Sequence, residues 1–450
     1  MEVIVIDTPE LGDRSYLAHD GRVGLVIDAQ RDIDRVEAAA ERAGITVTHV
    51  AETHIHNDYI TGGLAYARKH GAHYIVNGAE VVSFERTPIA DGETIMVGEL
   101  AVKAVATPGH THGHLAYVVS HRGQQAVFSG GSVLYGSVGR TDLVAPGDTR
   151  GLTHDQYASA RRLAQEAEGR AALYPTHGFG SFCSSGPASG ANGSTLGDQF
   201  ESNHVYTDPD EAHFVDELIA NLTAYPSYYV HMGPANLAGP GAPDLGVPEP
   251  LDAAELRRRL EAGEWVVDLR SRVAFSAEHL KGTVSFEYGD GTSFTTYMGW
   301  VIPWGQKLTL VGSREEVEKA IRDLSRIGID SPSAALGEDP ALLAPGTTLS
   351  SYRRARWEDV TAERQPGEAI LDVRRVEEHR ASRIEAAVNI PLHELLNRLD
   401  EVPRGRIWVH CGTGYRSGVA ASLLQRAGHE VVQIDDRFER AAEAGLPVVL

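Results

Sequence analysis

Between Gly233 and Pro250 the chain carries Pro234, Pro240, Pro243, Pro248 and Pro250, interleaved with Gly239, Gly241 and Gly246. No other feature constrains the fold as much. Proline lacks a backbone N–H and glycine loses the most entropy on ordering, and no hydrophobic period survives here, so the stretch is expected to be an interdomain linker. Separate bodies must form on its two sides. A weaker break covers Ser331 to Ser350, with Pro332, Gly337, Pro340, Pro345 and Gly346. Three units follow, at residues 1–235, 250–335 and 351–450, in line with a 450-residue chain at about 150 residues per domain.

Composition narrows what these units can do. There are 41 Lys+Arg against 62 Asp+Glu, a net charge of −21. A protein that neutralises phosphates needs a basic face, so nucleic acid is not an expected partner. No apolar run reaches the roughly 18 residues of a spanning helix, so no membrane role is expected. The start, MEVIVIDTPELGD, has no basic n-region, and the cytoplasm is the expected location. Two cysteines, Cys183 and Cys411, exclude a disulfide framework. The 20 histidines stand out.

The last two units echo each other. Val266-Val267-Asp268-Leu269-Arg270 is matched by Ile370-Leu371-Asp372-Val373-Arg374, each an apolar run carrying an acid and a base. Leu324-Ser325-Arg326-Ile327-Gly328 is matched by Leu424-Gln425-Arg426-Ala427-Gly428, each closing a helix at a glycine. Strands such as Ile407 to Val409 and Val431 to Ile434 alternate with helices such as Ser417 to Arg426, the pattern of a parallel sheet. Each copy is predicted to be a small α/β domain. In the first unit short strands (Val3 to Ile6, Val23 to Ile27, Val102 to Ala106, Ala116 to Val119, Ala126 to Phe128) mix with helices (Asp34 to Ala43, Thr61 to His70, Tyr157 to Ala167).

The histidines of that first unit gather where strands give way to loops. Thr53-His54-Ile55-His56-Asn57-Asp58-Tyr59 follows the strand Thr46 to Ala51, and alternation along an extended segment places His54, His56 and Asp58 on one side. Thr107-Pro108-Gly109-His110-Thr111-His112-Gly113-His114 and Tyr174-Pro175-Thr176-His177-Gly178 add further imidazoles beside Gly or Pro. Neutral imidazoles with a carboxylate suit one Zn or Fe ion. His70, His73, His121, His154 and His204 are read as surface or core residues, and His112 and His114 as supporting or solvent-facing.

These motifs resemble the metallo-β-lactamase superfamily, with its HxHxDH signature, a distant GH and a later HG. The resemblance implies an αββα sandwich and metal ligands His54, His56 and His110 in one set, with Asp58 and His177 in a second. Two positions depart from the pattern. Tyr59 replaces the last histidine of the signature, and in Phe128-Ser129-Gly130-Gly131-Ser132 the bridging aspartate becomes Gly131. Over residues 1–230 the chain is most similar to the persulfide dioxygenase branch, through Gly136-Ser137-Val138-Gly139-Arg140-Thr141-Asp142-Leu143 and Thr176-His177-Gly178-Phe179-Gly180-Ser181-Phe182-Cys183. That branch holds ferrous iron on two histidines and the aspartate, here His54, His110 and Gly131. The site therefore lacks the carboxylate of that triad, while a three-histidine set of His54, His56 and His110 still suits Zn with an activated water. Cys183 reads equally as a small buried residue or as a thiol near the pocket.

Near the other end, Val409-His410-Cys411-Gly412-Thr413-Gly414-Tyr415-Arg416-Ser417 runs from a strand into a helix. A thiol there meets backbone N–H groups, a helix N-terminus and the Arg416 charge, all of which favour thiolate. The loop resembles the active loop of rhodaneses, and both C-terminal units look like rhodanese domains. A cysteine phosphatase would space Cys and Arg one residue further apart. In the first copy the equivalent stretch, Leu308-Thr309-Leu310-Val311-Gly312-Ser313-Arg314, has no cysteine. Residues 250–335 are therefore expected to be a non-catalytic copy, with Phe294, Tyr297, Trp300 and Trp304 in core packing or against the first unit.

The predicted architecture is an α/β and α+β multidomain chain: a metallo-β-lactamase-like sandwich followed by two rhodanese-like α/β domains. The resemblance implies a sulfur-metabolism protein with Cys411 and Arg416 in sulfane-sulfur transfer. Its partners would be a low-molecular-weight thiol persulfide, thiosulfate or sulfide-derived sulfur, and it leaves room for a homo-oligomer. The alternatives are a zinc-dependent thioester-type hydrolase, or an N-terminal module without catalysis because of Gly131.

Overall fold

The computed structural model describes residues 1–187, 190, 193–289 and 291–450. Contacts divide it into Met1–Pro243 with Ser325–Gly328, and Asp244–Leu324 with Ile329–Leu450. In the first unit, β1 (Glu2–Thr8), β2 (Asp13–His19), β3 (Val23–Ile27), β4 (Thr46–Ala51), β5 (His73–Asn77) and β6 (Thr87–Ile89) form one sheet in chain order. β7 (Thr94–Val97), β8 (Leu100–Ala106), β9 (Leu115–His121), β10 (Gln124–Gly130), β11 (Ala172–Pro175) and β12 (Ser194–Thr195) form the other.

Strand β2 is apolar on both faces because it has neighbours on both. Tyr16 and Ala18 enter the core between the sheets with Ile27, Ile75, Leu115, Tyr117 and Phe128. Leu17 points the other way, toward Val36, Ala39, Leu64 and Tyr66 of helices Asp34–Ala43 and Gly63–His70. On the far side, Tyr157, Leu163, Phe214 and Leu218 of helices Thr149–Glu166 and Glu211–Ala220 cover the second sheet. This is the expected αββα sandwich. Its candidate ligands lie just beyond the carboxyl ends of β4, β8 and β11, with Gly131 beyond β10. Loops on a rigid scaffold are where chemistry is usually carried.

The second unit contains the duplication. β13 (Trp265–Asp268), β14 (His279–Leu280), β15 (Val284–Ser285), β16 (Leu308–Gly312), β17 (Ser333–Leu336) and β18 (Leu349–Ser350) belong to its first half. Its sheet runs β15-β13-β16-β17, all parallel. The second half has β19 (Arg353–Ala355), β20 (Ala369–Asp372), β21 (Arg383–Ile384), β22 (Val388–Asn389), β23 (Arg406–His410), β24 (Glu430–Ile434) and β25 (Val448–Val449). Its sheet reads β22-β20-β23-β24, with β19 added at the edge.

The echo extends to individual atoms. Arg270 grips Asp268 with contacts of 3.0, 3.1 and 2.7 Å, and Arg374 grips Asp372 with the same three distances. Each arginine also donates to the carbonyl eight residues on, Glu278 and Ser382. Both helices, Arg314–Arg326 and Tyr415–Arg426, end two residues before a left-handed glycine, Gly328 and Gly428. The two copies share one unit because they are bonded together: His279 to Gln425 (2.8 Å), Ser285 N–H to Ser422 (2.9 Å) and Arg272 to Asp435 (2.8 Å). The helix Phe294–Val301 is buried, and Trp300 stacks on His393 of the second copy at 4.3 Å. Among the described residues no helix is long and apolar enough to cross a membrane.

Candidate metal centre and cysteine loop

Residues 52–60 do not continue β4 as an extended segment. They turn through a series of bends, because Asn236 donates to the carbonyls of His56 and Tyr59 (2.9 Å each) and Asp28 accepts from Thr53 N–H (2.7 Å). The strand alternation predicted for His54, His56 and Asp58 is thereby lost. All five predicted ligands are nonetheless buried. They assemble as two overlapping triplets, His54/His110/His177 and His56/Asp58/His177, within which the ligand atoms lie no more than 4.8 Å apart. The triplet His54/His56/His110 is not one of these clusters.

Hydrogen bonds orient each ring. His54 Nδ1 bonds Thr53 Oγ1 at 2.8 Å, His110 Nδ1 donates to the Arg140 carbonyl at 2.7 Å, and His177 Nδ1 meets Asp13 Oδ1 at 2.8 Å. His56 is turned the other way: its Nε2 faces Tyr59 Oη (3.0 Å), Asp28 Oδ1 (3.2 Å) and Glu52 Oε2 (3.4 Å). Tyr59, where the signature has its last histidine, thus braces His56. His114 is buried, accepts from Gly131 N–H at 2.9 Å and stacks on His54. His112 is exposed and pairs with Asp148.

Burial and neighbouring charge sort the imidazoles into two kinds. Burial and the other histidines push His54 well below its ordinary value and His110 down to about 3. Burial also opposes a charge on His56 and His177. Asp28 and Glu52 nevertheless raise His56 to about 9, and Asp58 with Asp13 raises His177. Burial and the adjacent Asp58 push Asp13 up to about 7.

Among the buried atoms of this pocket without a hydrogen-bond partner are His110 Nε2, His56 Nδ1, Asp13 Oδ2, Glu52 Oε2 and both oxygens of Asp58. Unpaired buried acceptors of this kind are costly, and together they fit a divalent cation. Asp28 and Asp13 escaped the search by histidine spacing. Asp28 carried a usable signal, an acid closing an apolar strand as Asp268 and Asp372 do. It sits at φ 54, an uncommon value that an aspartate tolerates, and its carboxylate ties Thr53, Thr176 and His56 together. Asp13 sits at the start of β2 and meets the ligand shell only through the fold. Cys183 is fully buried, and burial together with the Asp58 and Asp13 charges raises its thiol well above the ordinary value.

Gly131 is more than a missing ligand. A Cβ there would fall 2.3 Å from His110 Cδ2, and one on Gly139 would fall 2.8 Å from His110 Nδ1. The imidazole lies in a slot between two glycines. An aspartate at 131 therefore requires His110 to move.

In the second unit Cys411 follows β23 and precedes the helix Tyr415–Arg426. Gly414 N–H donates to Cys411 Sγ at 3.1 Å. Gly414 has φ 104, and a Cβ on it would fall 2.0 Å from Asp435 Oδ1, so only glycine fits. The Arg416 guanidinium is already paired: Glu378 takes it at 2.5 and 2.7 Å. The free positive charge expected beside the thiol is thus shared with a carboxylate, and Glu378 was not visible from the loop's spacing. The first copy's Tyr297 stands near this loop, its ring 6.1 Å from that of Tyr415. In the first copy Leu269 N–H donates to Val311 O, as Val373 N–H does to His410 O. Gly312 therefore holds the place of Cys411.

Comparison with known proteins agrees with this division. Residues 2–178 match the metallo-beta-lactamase superfamily and residues 357–440 match the rhodanese-like domain. The chain is 34% identical over 121 residues to a hydroxyacylglutathione hydrolase of Rhizobium johnstonii, covering 26% of this chain and 46% of that protein. It is 29% identical over 175 residues to the mitochondrial persulfide dioxygenase ETHE1 of Bos taurus, covering 38% and 62%. The chain spans about half the length of the curated relatives it matches. A solved metallo-beta-lactamase from Staphylococcus aureus superposes with a TM-score of 0.67 at 26% identity, over 74% of this chain and 99% of that one. With a ligand cluster in the first unit and a thiol loop in the second, the chain combines a metallo-beta-lactamase superfamily domain at its N-terminal end with a rhodanese domain at its C-terminal end.

Proposed function

We propose that this chain is an enzyme of sulfur metabolism in which Cys411 carries sulfane sulfur and the first unit acts on a persulfide or thiol conjugate. The observation that carries the reading is the Cys411 loop, with the Gly414 N–H on the sulfur and a helix N-terminus behind it. In the transfer step the Cys411 thiolate attacks the outer sulfur of thiosulfate or of a low-molecular-weight persulfide. A Cys411 S–S bond forms as the donor's S–S bond breaks, releasing sulfite or a thiolate. A nucleophile such as cyanide or a second thiolate then takes the outer sulfur and restores the thiolate. Arg416, held by Glu378, shapes the rim of the loop. We assign the domains as 1–235, 250–350 and 351–450, the middle one carried past the expected 335 because β17 (Ser333–Leu336) and β18 (Leu349–Ser350) pair with its strands, and non-catalytic because Gly312 replaces the cysteine.

In the first unit we assign one Fe or Zn ion to the cluster of His54, His56, Asp58, His110 and His177. When bound, such an ion polarises a substrate atom or binds an anionic sulfur. The protein's own part is to exclude water, to hold each ring by its hydrogen-bond partner, and to keep His54 and His110 neutral. Likeness to a persulfide dioxygenase and to a hydroxyacylglutathione hydrolase supports a thiol derivative as substrate. Metal analysis of freshly purified protein separates the two chemistries. Iron with persulfide-dependent oxygen uptake favours oxygenation, and zinc with thioester cleavage favours the hydrolase reading. No stoichiometric metal, with activity unchanged in His54→Ala, would leave the first unit as a non-catalytic module.

A further inference from the structure

We propose that the first unit carries a further metal site outside the His54 cluster, where His204, Asp208, His213 and Glu217 hold one divalent transition ion of the Zn(II) class. The proposal does not depend on what the His54 cluster binds.

Spacing is the starting point. His204 and Asp208 are four residues apart, and so are His213 and Glu217. Residues four apart in a helical turn lie on one face, one above the other. The first pair spans the short helix His204–Thr207, which closes with the Asp208 N–H on the His204 carbonyl at 3.0 Å. The second pair lies within the helix Glu211–Ala220, which Asp210 caps by accepting from the N–H groups of Ala212 and His213.

The two pairs meet. Asp208 Oδ2 lies 2.6 Å from His213 Nδ1 and 3.3 Å from His204 Nε2, and Glu217 Oε2 lies 3.3 Å from His204 Nδ1. One donor atom from each of the four residues falls within 4.8 Å of the other three. A tetrahedral zinc with bonds of about 2.0–2.1 Å has edges of about 3.3 Å, so side-chain shifts on the order of 1 Å close this set on an ion. The ion takes the place of the protons that bridge imidazole and carboxylate. His204 gives only one of its nitrogens, and each already faces a carboxylate.

Asp208 is held ready. Its side chain is 8% exposed, and its backbone carbonyl accepts from Tyr157 Oη at 3.0 Å and from Arg161 at 2.7 Å. That guanidinium is thus spent on the backbone. Among the described residues neither Asp208 nor Glu217 pairs with a lysine or arginine. Two such carboxylates on a chain of net charge −21 draw cations. His204 and Glu217 also line a cleft of about 260 Å³ with Ser137, Asn203 and Asn221, which gives an ion a way in and room for a water ligand. Two imidazoles and two carboxylates suit Zn(II), Ni(II) or Cu(II), whereas Mg(II) and Ca(II) favour oxygen alone. An ion here ties the short helix to the next one, whose Phe214 and Leu218 pack in one core with Val205, and so stabilises this face of the unit.

Equilibrium dialysis of the full chain against Zn(II), followed by elemental analysis, tests the site. Wild type is expected to hold one Zn(II) per chain more than His204→Ala or His213→Ala, whatever the His54 cluster retains. Both side chains are well exposed, at 44% and 65%, so these variants are expected to fold. Glu217→Gln, which keeps the shape of the side chain, is expected to release the extra ion at a lower chelator concentration than wild type. His112→Ala removes another exposed histidine paired with an acid and is expected to change nothing. As a second readout, the rise in Tm on adding Zn(II) is expected to be smaller in His213→Ala than in wild type. Equal zinc counts in wild type and both His204→Ala and His213→Ala would overturn the site. So would loss of an ion in His112→Ala together with its retention in His213→Ala.

Discussion

The two halves of the second unit are one design used twice, and they differ where chemistry would occur. Both have a parallel sheet of the same strand order, the same buried Asp–Arg grip and the same helix ending in a left-handed glycine. In one, a helix starts at Arg314, two residues after β16 ends at Gly312. In the other, four residues including Cys411 separate β23 from the helix at Tyr415. The sheet and the Asp–Arg grip are thus kept in the copy without the cysteine loop, on which the proposed sulfur transfer depends. Function is grafted on a fold rather than implied by it.

The largest expected effect lies in the loop. Cys411→Ser should reduce thiosulfate-to-cyanide transfer to background, since the sulfur carrier is gone. Gly312→Cys should restore none of it, because the first copy lacks the loop as well as the thiol. Equal rates in wild type and Cys411→Ser would remove Cys411 from the mechanism. Transfer by the double variant would show that the short loop suffices.

A smaller effect is expected from the shared grip, and it should be present in both copies. Asp372→Asn leaves the buried Arg374 uncompensated, and Asp268→Asn does the same to Arg270. Breaking such a pair typically costs about 3–5 kcal/mol. Urea denaturation of each variant measures it. A cost in one copy and none in the other would show that the echo is geometric but not energetic.

The smallest effect is in acid. Burial opposes the Asp372 charge, but His410 and Arg374 more than offset this and hold its pKa at about 2, against an ordinary 3.8. A depressed carboxylate pKa contributes stability above the ordinary value that is lost as pH falls through 3.8 toward 2. The contribution is about 2 kcal/mol. Stability measured at pH 5 and near pH 2.5 should fall further in wild type than in Asp372→Asn. Equal losses would assign the acid sensitivity to other groups.

Much of this was legible in the chain itself. The strand Val23–Ile27 and the helix Asp34–Ala43 stand where apolar spacing placed them, and the acid–base echo located the repeat. The bends after β4 were not legible, because Asn236, far along the chain, sets them. Nor was the pairing of the copies into one unit, which depends on contacts such as His279 with Gln425. The predicted grouping of His54 and His56 assumed a strand, and the two rings face different partners once the chain bends.

Residue type and short-range spacing were enough to fix the inventory: a cysteine between strand and helix, histidines at strand ends, a duplicated acid and base, and a glycine where an aspartate was expected. Only the tertiary structure decided which nitrogen of each histidine is free, that Glu378 shares the charge of Arg416, and that the His110 ring fills the space beside Gly131. The physical reason is range. Local propensity acts over a few residues, whereas a ring's proton is placed by its partner, and the partner of His177 is Asp13, 164 residues away.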